Sequence, residues 1–191
     1  MFDFFKKLLM SRQMTFERGQ IKIGDDVAIM VSGEALVHVT DSLLKVMKEE
    51  GARQIYLASK EGGKALGRSF RKRFGVSDVK LANLLRNLAE MGGWGQFEFI
   101  NINVKGKSLI CHVTNSPFAK LTTNRGQKVC HMIRGLLAGG AAVGFNKDVE
   151  CVETMCIADG SHLCEFIVKP VGKFDRRDDL VKKQLWWLRK G

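Results

Sequence analysis

The chain has 191 residues, 45% of them hydrophobic and 27% charged, the balance of a soluble globular protein with one sizeable core. No apolar run approaches the ~20 residues that span a bilayer, and FDFFKKLLM at the N-terminus is too short for a secretory apolar region, so a cytoplasmic protein is expected. The net charge of +11 gathers in residues 60–73 and 169–191, as for a solvated basic face or for contact with an acidic protein or nucleic acid.

Residues 1–12 read as a short amphipathic helix, with Phe4, Phe5, Leu8 and Leu9 opposite Lys6, Lys7 and Arg12. Residues 1–14 form an N-terminal segment expected to dock on the protein or on a partner subunit. Residues 15–31 alternate around Gly24-Asp25-Asp26, a hairpin signal. Ser32 caps a helix predicted to run to Glu50, with Leu36, Val39, Leu43 and Met47 at helical spacing and Gly51 as its stop. A second helix covers 53–74. Leu66, Phe70 and Phe74 face inward, and Lys60, Lys64, Arg68 and Lys72, four apart, form an outer basic face. Gly62, Gly63 and Gly67 each cost about 1 kcal/mol there relative to alanine, and close approach to another backbone is the usual compensation. Ser77-Asp78 starts a third helix that ends near Met91.

Beyond Gly92-Gly93 the period changes to two. Phe97–Val104 and Ser108–Val113 form strands joined at Lys105-Gly106-Lys107, and a loop follows at Asn115–Phe118. A helix over about 125–143 carries Val129, Met132, Ile133, Leu136 and Leu137. The small residues of 138–144 suit close helix–sheet or subunit packing. A last hairpin, Val149–Ile157 and Leu163–Val168, turns at Asp159-Gly160. A basic helix in 171–191 closes the chain, capped by Asp175, with Asp178 and Asp179 in its first turn. Helices and hairpins in this order predict an α+β fold: one antiparallel sheet built from hairpins, helices packed on it, a single domain over 15–170.

Three of the five cysteines lie in or beside the last hairpin. A cysteine-rich intracellular chain favours free thiols or a metal over disulfides. Glu153, Cys156 and Cys164, spaced Glu-x-x-Cys-x7-Cys, are three candidate ligands for a borderline-soft cation, most naturally zinc. Cys130 is the best-placed fourth. In a regular strand Glu153 and Cys156 point to opposite faces, so a shared metal requires a bulge near Met155. Cys151 shares the face of Glu153 and is a rival, and His131 and His162 are neighbours that could substitute. The alternative is that the cysteines are small buried hydrophobes.

ASKEGGKALGRSF in the second helix, GWGQFEF before the central strands, VTNSPFA after them and ECVETMCIADGSHLCEFIV at the end resemble the 4-vinyl reductase domain. This is a small-molecule sensing domain distantly related to TRAPP vesicle-tethering subunits. The resemblance covers about 15–170. It implies zinc held by Cys130, Glu153, Cys156 and Cys164, and an apolar ligand between helices and sheet. Met91, Trp94, Phe97, Phe99 and Phe118 are the candidates to line that pocket or to be core. The chain has no phosphate loop, nucleophile elbow or dinucleotide fingerprint. The reading is therefore a non-enzymatic sensor or binding domain for an apolar or aromatic molecule, homodimeric, with structural zinc. Phe4, Phe5, Leu8, Leu9, Trp186 and Trp187 supply apolar dimer surface in that reading. The alternatives are a carrier or enzyme of tetrapyrrole or aromatic metabolism, and an adaptor whose basic helices bind an acidic protein or nucleic acid.

Overall fold

The alternating residues at the start of the chain close into a three-stranded meander rather than a single hairpin: β1 (Met14–Glu17), β2 (Gln20–Ile23) and β3 (Asp26–Ala28), all antiparallel. The additional turn is Arg18-Gly19, both at positive φ; the expected one at Gly24-Asp25 joins β2 to β3. The computed structural model describes residues 14–122 and 126–189, so the amphipathic helix expected over 1–12 lies outside the described residues.

Ser32 caps α1 (Gly33–Phe74) as expected, its Oγ accepting from the Ala35 N–H at 3.1 Å. The two helices predicted for this stretch follow one another with a break at Lys48 (φ 53°, ψ −127°), three residues before the expected stop. Gly51 lies just past the break, where a Cβ would come within 2.8 Å of the Leu43 carbonyl oxygen. The meander docks at the far end of α1. Arg73 pairs with Asp25 at 2.8 Å, and Ser69 donates to Asp26. α2 (Asp78–Met91) begins and ends where the sequence predicts.

β4 (Gln96–Asn103) and β5 (Ser108–Thr114) form the expected pair. They continue into β7 (Cys164–Lys169) and β6 (Glu150–Met155), giving one antiparallel sheet in the order β4-β5-β7-β6. Leu109, Cys111 and Val113 of β5 and Cys164, Phe166 and Val168 of β7 alternate onto one buried face. The segment read as a loop at 115–118 holds a short helix, α3 (Pro117–Leu121), capped by Ser116. The next helix, α4, is His131–Phe145 rather than 125–143, so Cys130 is its N-cap and not an interior residue.

Helices α1 and α4 meet backbone to backbone. A Cβ on Gly63 would lie 2.6 Å from the Leu136 carbonyl oxygen, and one on Gly139 would lie 2.1 Å from the Lys60 carbonyl oxygen. The glycines of α1 and the small run of α4 are thus two halves of one helix–helix contact, and Gly62, open to space, takes no part in it.

The basic face drawn for α1 needs correction at Lys60. That residue is 4% exposed, and its Nζ reaches Glu150 at 2.7 Å and Asp148 at 3.1 Å. The last helix, α5 (Asp179–Gln184), is capped by Asp178 rather than Asp175; the Asp178 carboxylate accepts from the Leu180 and Val181 N–H groups. Trp187 follows it and packs into the chain's own core, 5.6 Å from the Tyr56 ring, instead of supplying free apolar surface.

Candidate metal centre and adjoining apolar cavity

Three elements deliver four donors to one point. Cys130 comes from the N-cap of α4, Glu153 from β6, Cys156 from the end of the bulged strand, and Cys164 from the first residue of β7. One donor atom from each lies within 4.8 Å of every other, and all four residues are buried. The bulge required by the sequence is present. Glu153 pairs with Phe166 and Met155 with Glu165, so Thr154 is an extra residue in β6 and the strand's facing reverses beyond it. The chain then turns through a 3-10 helix at Ile157–Asp159, with Gly160 at φ 97° closing the turn.

The cysteines are free. Sγ of Cys164 lies 3.7 Å from Sγ of Cys130 and 3.9 Å from Sγ of Cys156. Thiolates held at ~2.3 Å around tetrahedral zinc stand roughly 3.8 Å apart, so the sulfurs are already spaced as such an ion requires. Glu153 accepts from the Cys130 N–H through Oε2 at 3.2 Å, while Oε1 is buried without a hydrogen-bond partner. A fully buried carboxylate oxygen left unpaired is costly, and a cation is the partner its position favours. Burial holds the Glu153 carboxyl well above its ordinary range. Hydrogen bonding with Cys130 and Cys156 pulls the Cys164 thiol down to about 5. The N-terminus of α4 faces the cluster and favours the negative charge that metal binding needs. The donor set therefore fits zinc, which these four residues would hold as a full set of protein ligands.

The rival ligands lie elsewhere. Cys151 is buried one strand step away, its backbone N–H donating to the Tyr56 hydroxyl at 3.1 Å, and belongs to no four-donor group among the described residues. His131 follows Cys130, but burial pushes its imidazole down to about 3, and its Nδ1 has no partner. His162 is exposed on the connecting turn.

Around the centre runs a buried polar network that the sequence does not announce. Tyr56 donates to Glu150, which also takes Lys60. Arg134, 2% exposed, stacks over the Tyr56 ring at 4.4 Å and donates to Gln184 Oε1 at 2.6 Å. Gln184 accepts from the Glu153 N–H at 2.9 Å and donates to its carbonyl at 2.7 Å, so one amide side chain stands in for a neighbouring strand at the β6 edge. Lys60 and Arg134 fall at spacings that ordinarily read as surface. Only their partners, 90 and 50 residues away, draw them inward.

Between α1, α2, α4 and the sheet lies a cavity of about 210 Å³. Of the five candidate pocket residues, Trp94, Phe97 and Phe99 are in its lining; Met91 and Phe118 are not, although the Phe118 ring packs on Trp94 with centroids 5.6 Å apart. Ile133, Leu136, Leu137, Gly140, Ala141 and Gly144 of α4 make one wall and Leu85, Leu88 and Ala89 of α2 another. The charged groups in the lining are Asp78 and Arg86. A helical-face reading finds Arg86, which follows Ala82 by four and precedes Ala89 by three.

Residues 109–170, which span β5 through β7 and contain all four donors, match the family model of the 4-vinyl reductase domain. An uncharacterised protein of Methanocaldococcus jannaschii is 30% identical over 108 residues, 56% of this chain and 60% of the relative, so the match spans less than two thirds of that protein's length. The phenol-responsive sensory domain of the transcription activator PoxR, solved with phenol, superposes with a TM-score of 0.75 at 17% identity over 94% of this chain and 92% of that one. Trafficking protein particle complex subunit 3 from Naegleria fowleri, solved covalently bound to palmitic acid, superposes with a TM-score of 0.54 at 16% identity over 72% of this chain and 93% of that one. At these identities the likeness is one of fold. No described helix is long and apolar enough to cross a membrane.

Proposed function

We propose that this chain, which carries a 4-vinyl reductase domain matched at residues 109–170, is a non-enzymatic binding or sensor module for a small apolar or aromatic molecule, with zinc as a structural staple. The observation that carries the reading is the double use of α4. Its N-cap supplies Cys130 to the four-donor cluster, and the turns that follow form a wall of the apolar cavity. Zinc bound by Cys130, Glu153, Cys156 and Cys164 ties β6 and β7 to that helix and holds the wall in place. The phenol in the PoxR sensory domain, a protein of the same fold, supports a small aromatic occupant. The volume agrees: an apolar cavity of ~150 Å³ accommodates benzene, and this one is about 210 Å³. A tetrapyrrole calls for a much larger space, which disfavours the carrier or enzyme of tetrapyrrole metabolism.

A homodimer is the second part of the proposal. Val39 and Val46 on the first half of α1, with Ile29 and Met30 before it, are large apolar side chains exposed on one protomer, and their concentration in one stretch of chain supports an association face there. The expected small-residue face of α4 is spent on α1 and is not part of that surface.

Elemental analysis of protein purified without chelator, together with calorimetric titration of phenol, toluene and 4-ethylphenol, tests the reading. About one zinc per chain and saturable binding of at least one probe are expected. Absence of zinc with undiminished thermal stability removes the staple, and failure of all three probes, and of the apolar acids 4-ethylbenzoate and octanoate, removes the binding module. Light scattering that gives a monomer mass removes the dimer.

A further inference from the structure

We infer that the cavity selects an apolar body bearing a carboxylate, and that Arg86 is the residue that recognises it. The inference rests on the cavity being a ligand site, as proposed above. Arg86 lines a largely apolar chamber whose one other charged lining residue is Asp78. Its Nε is buried and has no hydrogen-bond partner, and its Nη2 reaches only the neighbouring Asn87 side chain, at 3.5 Å, the outer limit of a hydrogen bond. The guanidinium carbon sits 5.9 Å from the centre of the Phe99 ring, itself part of the lining. No ion pair joins Arg86 to a carboxylate among the described residues. Asp78, the other charged group in the lining, is eight residues earlier on the same helix, about 12 Å away along its axis.

A half-buried guanidinium in the lining of a largely apolar cavity, with a buried Nε left unpartnered, has donors to spare for an anionic guest. Arginine presents its N–H groups as a planar fork that matches the two oxygens of a carboxylate, and such charge-assisted pairs are about twice as strong as neutral hydrogen bonds. Trp94, Phe97 and Phe99 offer ring faces for the rest of the molecule. The volume limits that body to one substituted ring or a short alkyl chain. Both sources share one chemistry, a monocarboxylate with an apolar tail.

The test is calorimetric titration of the zinc-loaded full chain near neutral pH with 4-ethylbenzoate, 4-ethylbenzamide and 4-ethylphenol, and in a second arm with octanoate and octanamide. The acid of at least one pair is expected to bind ~10-fold or more tighter than its neutral analogue; whichever acid is preferred distinguishes an aromatic from an aliphatic body. R86M is expected to abolish the preference for the acid, and R86K to keep part of it. The wild-type comparison stands by itself if R86M fails to fold. Acid and neutral probes bound equally by the wild type, or a preference that survives in folded R86M, overturn the role of Arg86 and leave the apolar-cavity reading intact. No binding of any probe, neutral ones included, overturns both.

Discussion

Gly139 is the sharpest mechanical test of the helix contact on which both sites depend. Its Cβ, once added, would lie 2.1 Å from the Lys60 carbonyl oxygen, 2.7 Å from the Lys64 nitrogen and 3.0 Å from the Gly63 carbonyl carbon. All three are backbone atoms and cannot rotate away. Ordinary contact begins near 3.4 Å, so G139A must push α1 and α4 apart by roughly 1.3 Å, or distort one of them. Overpacking costs about 1–3 kcal/mol, and a backbone clash lies at the upper end of that range. For a chain of this size, ~3 kcal/mol lowers the melting temperature by about 6–12 °C. Gly62 is the matched control. It sits in α1, the helix that G139A would strike, with nothing within 4 Å of its would-be Cβ. G62A is therefore expected to raise stability by about 0.5–1 kcal/mol through helix propensity alone. Thermal and chemical unfolding of the pair should move in opposite directions. A G139A protein that melts with the wild type, or a G62A protein that melts clearly below it, would refute the backbone-contact account of the glycines.

Removing Cys156 or Cys164 as serine is expected to abolish zinc binding and lower stability by several kcal/mol, whereas C111S should keep the metal. C151S is expected to keep it too, and loss of zinc in C151S, read by elemental analysis, would overturn Glu153 as the fourth ligand. Q184L leaves the Glu153 N–H and the Arg134 guanidinium without their shared acceptor. It should cost ~2–4 kcal/mol in urea unfolding and speed hydrogen exchange at the Glu153 amide, and unchanged exchange there would refute the strand-mimic role. Glu165 is held below the ordinary carboxylate range by hydrogen bonds from Thr154 and His112. A depressed acid stabilises the fold above its unfolded pKa, and that contribution is lost as pH falls through the folded value. T154V should therefore lose less stability than the wild type on acidification from about pH 5 to pH 3, and identical slopes would contradict the assignment.

What sequence can show, and where it stops, follows from how far apart the interacting residues are. The strands, the Ser32 cap, α2 and the necessity of a bulge near Met155 are local properties of period and turn chemistry, and they are legible. The four-donor set is legible because three of its members, Glu153, Cys156 and Cys164, are close in the chain and their spacing resembles a known one. Lys60 is the opposite case. Its own helix presents it as the first of four cations spaced by four, and its burial is decided by Glu150 and Asp148 on a strand and turn formed far later in the chain. Arg134 hides for the same reason, behind Tyr56 and Gln184. Periodicity alone puts Cys130 inside a helix. The helix starts one residue later, and that shift matters, because the N–H of an N-cap is outside the helix ladder and the Cys130 N–H is thus available to Glu153.

The position of α4 joins the two halves of the proposed function into one argument. Its first residues meet the donor cluster, and its middle and end line the cavity. Gly63 and Gly139 press it against α1 so closely that neither helix can shift without the other. Zinc therefore does more than add stability in this reading, because it fixes one end of the element whose side chains a ligand must touch. If the empty cavity and the filled one set α4 differently, the ion and the ligand favour or oppose one another. Linkage then requires the effect to be equal in both directions: a ligand bound about ten times tighter in the presence of zinc raises zinc affinity about tenfold. Titrating zinc against a competing chelator with and without a saturating apolar acid measures that coupling. Equal zinc affinities in the two titrations, in a protein that binds both, would mean that α4 is a fixed wall and the metal a staple with no part in the response.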